Sequence, residues 1–225
     1  MASLMSSTIG RKYAMALSAM FLLVFLVMHL SVNLLSVFSE NAFNEASYFM
    51  GYNPFIQFLM QPILIIAVFF HFIMGFVLEA KNNKARPIKY AVNGASANSS
   101  WMSRNMIISG LVILAFLVLH MYDFWAHEMT YKYIPGEGNP ADTTRFWGEL
   151  HEKFESPIRV GLYVVSFILL GLHLAHGFQS SFQSIGARHP KYTPCIMAFG
   201  RWYSILIPLG FIVVAVFHFV TQSHH

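Results

Sequence analysis

The sequence predicts an all-α integral membrane protein with five transmembrane helices. Of its 225 residues, 56% are hydrophobic and only 11% are charged, whereas about a quarter of a soluble domain is charged. The mean hydropathy is +0.53. Each of five uncharged stretches is long enough to span a bilayer, which requires roughly 20 apolar residues. They are Tyr13–Ser39, Ala46–Leu78, Asn105–Tyr122, Val160–Ala187 and Trp202–His225.

These stretches predict one transmembrane domain over residues 1–225, with helices I to IV in a bundle and helix V beside it. The expected helices cover about residues 12–38, 55–80, 102–125, 157–185 and 200–222. The first apolar run could alternatively be a signal peptide, with Arg11 and Lys12 as its basic flank. This run is too long, however, and no small-residue cleavage site follows it. The longest connection, residues 123–159, is expected to cap one mouth of the bundle.

The Lys and Arg residues predict the orientation. Ten lie on the side of the N-terminus and four on the other side. Because cytoplasmic loops carry the excess of basic residues, we expect the N-terminus inside, in a multi-pass protein of a bacterial inner (cytoplasmic) membrane. The basic residues sit in short loops and form no stripe for nucleic acid. The single cysteine, Cys195, excludes an internal disulfide and sites built on several thiolates.

Histidine is the residue type that indicates a function. Polar groups inside a bilayer are costly and usually face the bundle interior. One such histidine is as often a packing residue as a ligand, but six on five helices favour a shared ligand. They are His29, His71, His120, His173, His176 and His218. A zinc or di-iron site would need carboxylates beside them inside the bundle, and the five uncharged stretches contain none.

The histidines of helices I and III share one depth. His29 lies 18 residues after Arg11, and His120 lies 16 after Arg104. At 1.5 Å per residue, both are roughly 24–27 Å from the inner surface, which places them in the outer half of the membrane.

The histidines of helices II and IV share a second depth. His71 lies 17 residues after Pro54, and His173 lies 16 after Pro157. Both are about 25 Å from the outer surface and hence in the inner half. Two pairs at two depths suit two stacked haems, each with two axial histidines, which carry electrons because no coordination position remains open.

A repeated motif accompanies the inner pair. His71 is followed by Gly75 and His173 by Gly177, as HFIMGF and HLAHGF. Residues four apart share a helix face, so each glycine would let the flat macrocycle approach. Helix packing is the alternative explanation of these glycines. His176 remains a rival ligand on helix IV, and His218 remains a rival in the outer half.

The sequence resembles the cytochrome b subunit of succinate:quinone oxidoreductases of the B type, in which one polypeptide carries five helices and two haems. The resemblance covers almost the whole sequence. It rests on RKYAMALSAMFLLVFLVMHLSVNLL, NAFNEASYFMGYNPFIQF, HFIMGFVLEAKNNKARP, SSWMSRNMIISGLVILAFLVLHMYDFW and GLHLAHGFQSSFQSIG. Some fumarate reductases of this type carry a glutamate two residues before the helix IV ligand, for a proton path. Gly171 stands at that position here, which argues against that path.

The resemblance implies one haem b ligand on each of helices I to IV. His29 and His120 would hold the outer haem, and His71 and His173 the inner haem. It also implies partners: a flavoprotein subunit with FAD and an iron–sulfur subunit on the cytoplasmic face, and a membrane quinone, menaquinone rather than ubiquinone. This protein would carry no succinate chemistry itself.

Two further sets of residues are expected near the haems. The quinone site is expected at the outer mouth among groups that carry protons: Glu40, Glu45, Asp123, His127, Glu128 and His151. The expected donors to the inner haem's propionates are Arg11, Trp101, Ser103, Arg104 and Gln183. Alternative functions are a haem b anchor of a formate dehydrogenase or hydrogenase, and a haem-free transporter with histidine proton relays.

Overall fold

In the computed structural model, which describes residues 7–84, 105–136, 138–139 and 141–222, the protein folds into helices. The all-α class is confirmed, with no strand in these ranges. Five helices are long and apolar enough to cross a membrane. In sequence order the helices are α1 (Thr8–Phe38), α2 (Glu40–Tyr52), α3 (Ile56–Lys84), α4 (Met106–Tyr133), α5 (Arg145–Lys153), α6 (Pro157–Ser184) and α7 (Thr193–Thr221).

Consecutive long helices run antiparallel. Near the start of α1, Ser18 lies beside His71 in the second half of α3. The same relation joins Ser109, at the start of α4, to His173 in α6. Helix α7 runs parallel to α1, since Tyr203 contacts the carbonyl of Leu23 at 2.6 Å and, later in both helices, His218 contacts Ser36 at 3.0 Å. Helix α5 lies at the end of the bundle where α1 ends. We therefore call this end of the bundle the α5 end.

Helix α7 supplies much of the core. It packs along α6 and α1, and the buried face of its last turns includes Val214, Ala215 and His218. Close approach to α6 requires small residues. A Cβ at Gly171 would lie 3.0 Å from the carbonyl oxygen of Ser204, and one at Gly200 would collide with the Phe178 ring. Helix α7, which is the predicted helix V, is therefore an integral part of the packed bundle rather than a helix beside it.

Two of the long helices contain a π turn. Helix α3 begins with Ile56–Met60 in this form, and α4 has Met121–Ala126 directly after His120. A π turn inserts one residue into the helix, and such turns are frequent at functional sites. The second one carries Asp123, which is only 1% exposed although its neighbour Tyr122 is 72% exposed.

The long connection after α4 is more ordered than the sequence indicates. Helix α4 continues to Tyr133, beyond the expected end near residue 125, because charged residues there pair along the helix. Lys132 and Glu128, for example, lie 2.9 Å apart. Helix α7 begins at Thr193 rather than near 200, and Pro194 occupies its first turn, where proline is favourable.

Helix α5 covers the α5 end of the bundle, as expected of this connection. The backbone N–H of Trp147 donates to Asn44 Oδ1 at 2.8 Å, and its indole donates to the carbonyl of Ser36 at 2.9 Å. Leu150 and Phe154 are 5% and 4% exposed beneath it. These contacts attach α5 to α1 and α2 together.

Candidate functional site: two histidine pairs

The structure brings four of the intramembrane histidines together as two pairs. The α1–α4 pair consists of His29 and His120, whose ring centroids are 5.7 Å apart. The α3–α6 pair consists of His71 and His173, with centroids 6.5 Å apart. These are the pairs that the depths in the sequence predict. Their levels are separated by eleven residues of α1, from Ser18 beside His71 to His29, or roughly 16 Å.

The separations within the pairs suit two imidazoles on one metal ion. A metal–nitrogen bond of about 2.0 Å on each side places the centroids of two ligating imidazoles roughly 6 Å apart. Both measured separations, 5.7 Å and 6.5 Å, are close to this value. Each pair combines two helices, so a cofactor ligated there would connect them.

A serine hydroxyl accompanies each ring of the α3–α6 pair. Ser18 Oγ lies 3.2 Å from Nδ1 of His71, and Ser109 Oγ lies 3.2 Å from Nδ1 of His173. Each serine comes from the helix adjacent to the one that carries the histidine. Because Nδ1 is engaged in both rings, Nε2 is the nitrogen available to a metal.

The glycines four residues after these histidines are not explained by helix packing. A Cβ at Gly75 would come no closer than 3.8 Å to another residue, at the methyl of Met15, and one at Gly177 would lie 3.5 Å from the methyl of Met106. These are ordinary contacts with the ends of flexible side chains, unlike the backbone contact at Gly171. The geometry thus favours a cradle for a flat ligand over close helix packing.

Aromatic rings surround the α1–α4 pair. Phe25 stacks on His29 at 5.2 Å, and Phe124 lies 5.2 Å from His120, with Tyr163 at 6.4 Å. Nδ1 of His120 is buried and has no hydrogen-bond partner within the part of the protein that the structure describes. A buried polar atom without a partner is costly, and a ligand bound at this nitrogen would remove that cost.

The two rival histidines lie apart from the pairs. Both ring nitrogens of His218 are engaged, with Nδ1 3.1 Å from His151 Nδ1 and Nε2 3.0 Å from Ser36 Oγ. This ring is fully buried and joins α7 to α1 and α5. His176 lies one turn beyond His173 on α6 and is half-buried. The centroids of His218 and His151 are 5.4 Å apart, but their facing Nδ1 atoms are in direct hydrogen-bond contact at 3.1 Å, which leaves no room for a metal between them.

The acids and histidines expected at a quinone site do not converge on one point. Glu40, Glu45 and His127 are exposed. Asp123 accepts a hydrogen bond from the Tyr163 hydroxyl at 2.8 Å. His151 contacts His218, as described above.

Glu128 belongs to an ion-pair network at the α5 end. The Arg145 guanidinium lies 2.5 Å from Glu128 and 2.7 Å from Glu149. Burial by itself would lower the pKa of Arg145, but its hydrogen bonds to Glu149 and Glu128 raise it above the usual value. The network therefore stays charged on the arginine side and holds α5 against α4.

Beside this network lies a cavity of about 200 Å³. Its lining is Tyr52, Gln57, Phe58, Lys132 and Tyr133. The Gln57 amide donates to the Tyr133 hydroxyl, and Lys132 donates to the carbonyl of Gly51 at 2.6 Å. The cavity thus combines aromatic walls with several hydrogen-bond donors. None of these residues is one of the acids or histidines expected at the quinone site, and the signal for them in the sequence is the cluster of tyrosines that flanks the predicted spans.

Two of the five expected propionate donors lie among the described residues. Arg11 is half-buried near the start of α1, and Gln183 is exposed at the end of α6, so both lie at the end opposite α5. Trp101, Ser103 and Arg104 lie outside the described residues. Among the described residues, no three His, Cys, Asp or Glu side chains converge on a metal site.

Comparison with known proteins identifies one relative at modest identity. The protein is 26% identical over 159 residues to the succinate dehydrogenase cytochrome b558 subunit of Bacillus subtilis (strain 168). The match covers 70% of this sequence and 69% of that protein. The resemblance indicated by the motifs is thereby confirmed. No family model and no solved structure matches the sequence.

Proposed function

We propose that this protein is the di-haem cytochrome b membrane anchor of a succinate dehydrogenase or fumarate reductase. It would transfer electrons between an iron–sulfur subunit and a membrane quinone. The observation that carries the proposal is the presence of two histidine pairs on four helices, at two levels, each with a separation that suits one metal ion. The similarity to a succinate dehydrogenase subunit supports it over a formate dehydrogenase or hydrogenase anchor.

The protein's own residues would hold and orient the cofactors. His29 and His120 would ligate one haem b, and His71 and His173 the other. A haem held by both histidines of a pair would supply one-electron transfer, with no position left for substrate. The aromatic side chains around the α1–α4 pair would exclude water, and Gly75 and Gly177 would make room for the second macrocycle.

The quinone head group is proposed to bind in the cavity at the α5 end. Two carbonyl oxygens of a quinone require hydrogen-bond donors, which Tyr52, Gln57 and Lys132 offer from one cavity. Burial raises the pKa of the Tyr52 phenol, an effect that the nearby Arg145 guanidinium partly offsets. The phenol is therefore protonated at neutral pH and can donate. Glu128, 2.9 Å from Lys132, would pass protons to the cavity from the surface.

The catalytic partners are proposed to dock at the opposite end. That end carries seven of the eleven Lys and Arg residues that the structure describes, so it would face the cytoplasm of a bacterium. A flavoprotein with FAD and an iron–sulfur subunit would bind there and exchange electrons with the α3–α6 pair, which is the nearer one. The α1–α4 pair would then serve the quinone.

A haem count with single-histidine variants tests the proposal. Purified wild-type protein should show a b-type α-band in the reduced-minus-oxidised spectrum and, by pyridine haemochrome, two haems per polypeptide. Replacement of His71 or His120 by alanine should leave at most one haem. His176→Ala, on the same helix as His173, is the matched control and should retain both. Absence of the α-band from wild-type protein would refute the proposal.

A further inference from the structure

Two residues of α1, Ser18 and Met15, contact His71 and Gly75 of α3. Ser18 Oγ lies 3.2 Å from His71 Nδ1, and one turn earlier the methyl of Met15 lies over Gly75. Serine therefore meets the ring, and methionine meets the glycine four residues beyond it.

Helix α4 contacts α6 in the same way. Ser109 Oγ lies 3.2 Å from His173 Nδ1, and the methyl of Met106 lies over Gly177. In both helices the motif is Met-x-x-Ser, as MALS and MIIS, and a histidine of the other pair follows the serine by eleven residues. Helices α1 and α3 thus repeat the arrangement of α4 and α6, although the intervening sequences differ.

The hydrogen bonds of the serines determine which nitrogen of each ring carries the proton. A serine hydroxyl has one proton to donate. Ser18 donates it to the carbonyl of Met15 at 2.8 Å, and Ser109 donates it to that of Met106 at 2.9 Å. Each hydroxyl can therefore only accept from its histidine, so Nδ1 carries the proton and Nε2 keeps a free lone pair.

We propose that Ser18 and Ser109 are matched positioning residues for the two histidine ligands of the α3–α6 pair. By accepting from Nδ1–H, each serine fixes the tautomer and the plane of one ring and directs Nε2 to the iron. An acceptor on the far nitrogen of a ligating imidazole raises the basicity of that ligand. This inference rests on the proposed function, since it assumes that the α3–α6 pair holds a haem.

The effect is specific to one of the two haem sites. No side-chain hydroxyl contacts the rings of the α1–α4 pair among the described hydrogen bonds, and aromatic side chains surround those rings instead. Loss of either serine should therefore alter the haem at His71 and His173 and leave the other haem as an internal reference.

Redox titration of the haems in the assembled membrane complex tests this inference. The haem of the α3–α6 pair is first identified as the one lost in His71→Ala. In Ser18→Ala and Ser109→Ala its ratio of reduced to oxidised form, at a fixed ambient potential, should rise roughly two- to tenfold, the range set by one ordinary hydrogen bond. A less basic ligand stabilises ferric iron less, which gives the direction. The other haem should titrate as in the wild type.

The controls separate positioning from folding. Ser18→Thr and Ser109→Thr keep the hydroxyl and should restore the wild-type titration. Ser31 on α1 also donates to a backbone carbonyl but contacts no histidine, so Ser31→Ala should change nothing. Loss of only the α3–α6 haem in an alanine variant, with recovery in the threonine variant, would equally support the proposal.

Two results would overturn the inference while leaving the proposed function intact. One is an unchanged titration in both alanine variants. The other is an equal shift of both haems, or a shift of similar size in Ser31→Ala, which would indicate a general structural effect. A wild-type protein with no haem at the α3–α6 pair would overturn the proposed function and this inference together, and the haem count detects that case separately.

Discussion

The carboxylate of Asp123 accepts a 2.8 Å hydrogen bond from the hydroxyl of Tyr163 in the interior of the bundle. Its other oxygen lies 3.3 Å from Arg159. The charge is almost fully buried, at 1% exposure, and such a charge is tolerable only when it is paired and hydrogen-bonded. These two partners therefore make the buried carboxylate stable three residues after His120.

Replacement of Tyr163 by phenylalanine should destabilise the protein by about 2 kcal/mol, the cost of removing a hydrogen bond to a buried charged group. The thermal midpoint of the detergent-solubilised protein, followed by circular dichroism, measures the effect. Tyr122→Phe is the control, because Tyr122 neighbours Asp123 but is 72% exposed. Equal midpoints for the two variants would show that the hydrogen bond contributes nothing.

Replacement of His218 by phenylalanine should release α5 without loss of haem. Both nitrogens of His218 connect α7 to other elements, through His151 on α5 and Ser36 on α1. The variant should keep two haems, and limited proteolysis should cut the segment between α4 and α5 faster than in the wild type. His189→Phe is the control, since that ring is exposed in the connection between α6 and α7, at the opposite end of the molecule. A variant with one haem would instead make His218 a ligand.

The histidine pairs could be predicted from the sequence because their geometry follows from helix direction alone. Rise per residue and the alternation of direction place His29 level with His120 and His71 level with His173. The five spans follow equally from the apolar runs, although α4 continues to Tyr133 and α7 begins at Thr193, outside those runs. The levels of the histidines use only regular helical geometry, so tertiary packing does not alter them.

The surroundings of the pairs could not be predicted in this way. Asp123 faces inward because a π turn adds a residue after His120, which shifts every later side chain around the helix. The contact between Ser18 and His71 depends on how α1 and α3 are rotated. The repeated Met-x-x-Ser motif was a signal in the sequence, but its role becomes evident only once the opposing helix is in place.

Acid pH should weaken the attachment of α5. The side chain of Asp142 accepts hydrogen bonds from the backbone N–H and the hydroxyl of Thr144, both at 2.9 Å. The backbone hydrogen bond from Thr144 is the main cause that holds the pKa of Asp142 below its usual value. A carboxyl whose folded pKa is depressed stabilises the fold above its unfolded pKa, and this stabilisation is lost as the pH falls through the folded pKa.

Asp142→Asn keeps an oxygen that can accept from Thr144 but removes the charge, so it should remove the pH-dependent part of this contribution. Proteolysis of the segment before α5 should be faster in the variant than in the wild type at pH 7, and the difference should vanish as the pH falls below about 3.8. Glu155→Gln, an exposed substitution at the same end of the molecule, controls for the change in net charge. A difference that persists at low pH would contradict the role of the ionised carboxylate. Arg145, with its raised pKa, stays charged throughout and does not contribute to the slope.

Glycines of α6 should divide into two classes when replaced by alanine. At Gly171 the new Cβ would lie 3.0 Å from the backbone oxygen of Ser204, so α6 and α7 must separate. At Gly177 it would meet only the methyl of Met106 at 3.5 Å, an ordinary contact. In the haem-free protein, Gly171→Ala should therefore lower the thermal midpoint, whereas Gly177→Ala should leave it unchanged or raise it slightly, since alanine favours the helix by up to about 1 kcal/mol.

In the haem-loaded protein, Gly177 should matter for the occupancy of the haem, although it does not matter for the thermal midpoint. If Gly177 makes room for a macrocycle on His173, then Gly177→Val should reduce the occupancy of the α3–α6 haem well below one per polypeptide while the helical content is retained. Gly161→Val, on the same helix with open space around its Cβ position, should keep both haems. Full occupancy in Gly177→Val would show that Gly177 is not needed to make room for the haem. Gly75 and the surrounding side chains would then have to provide that space alone.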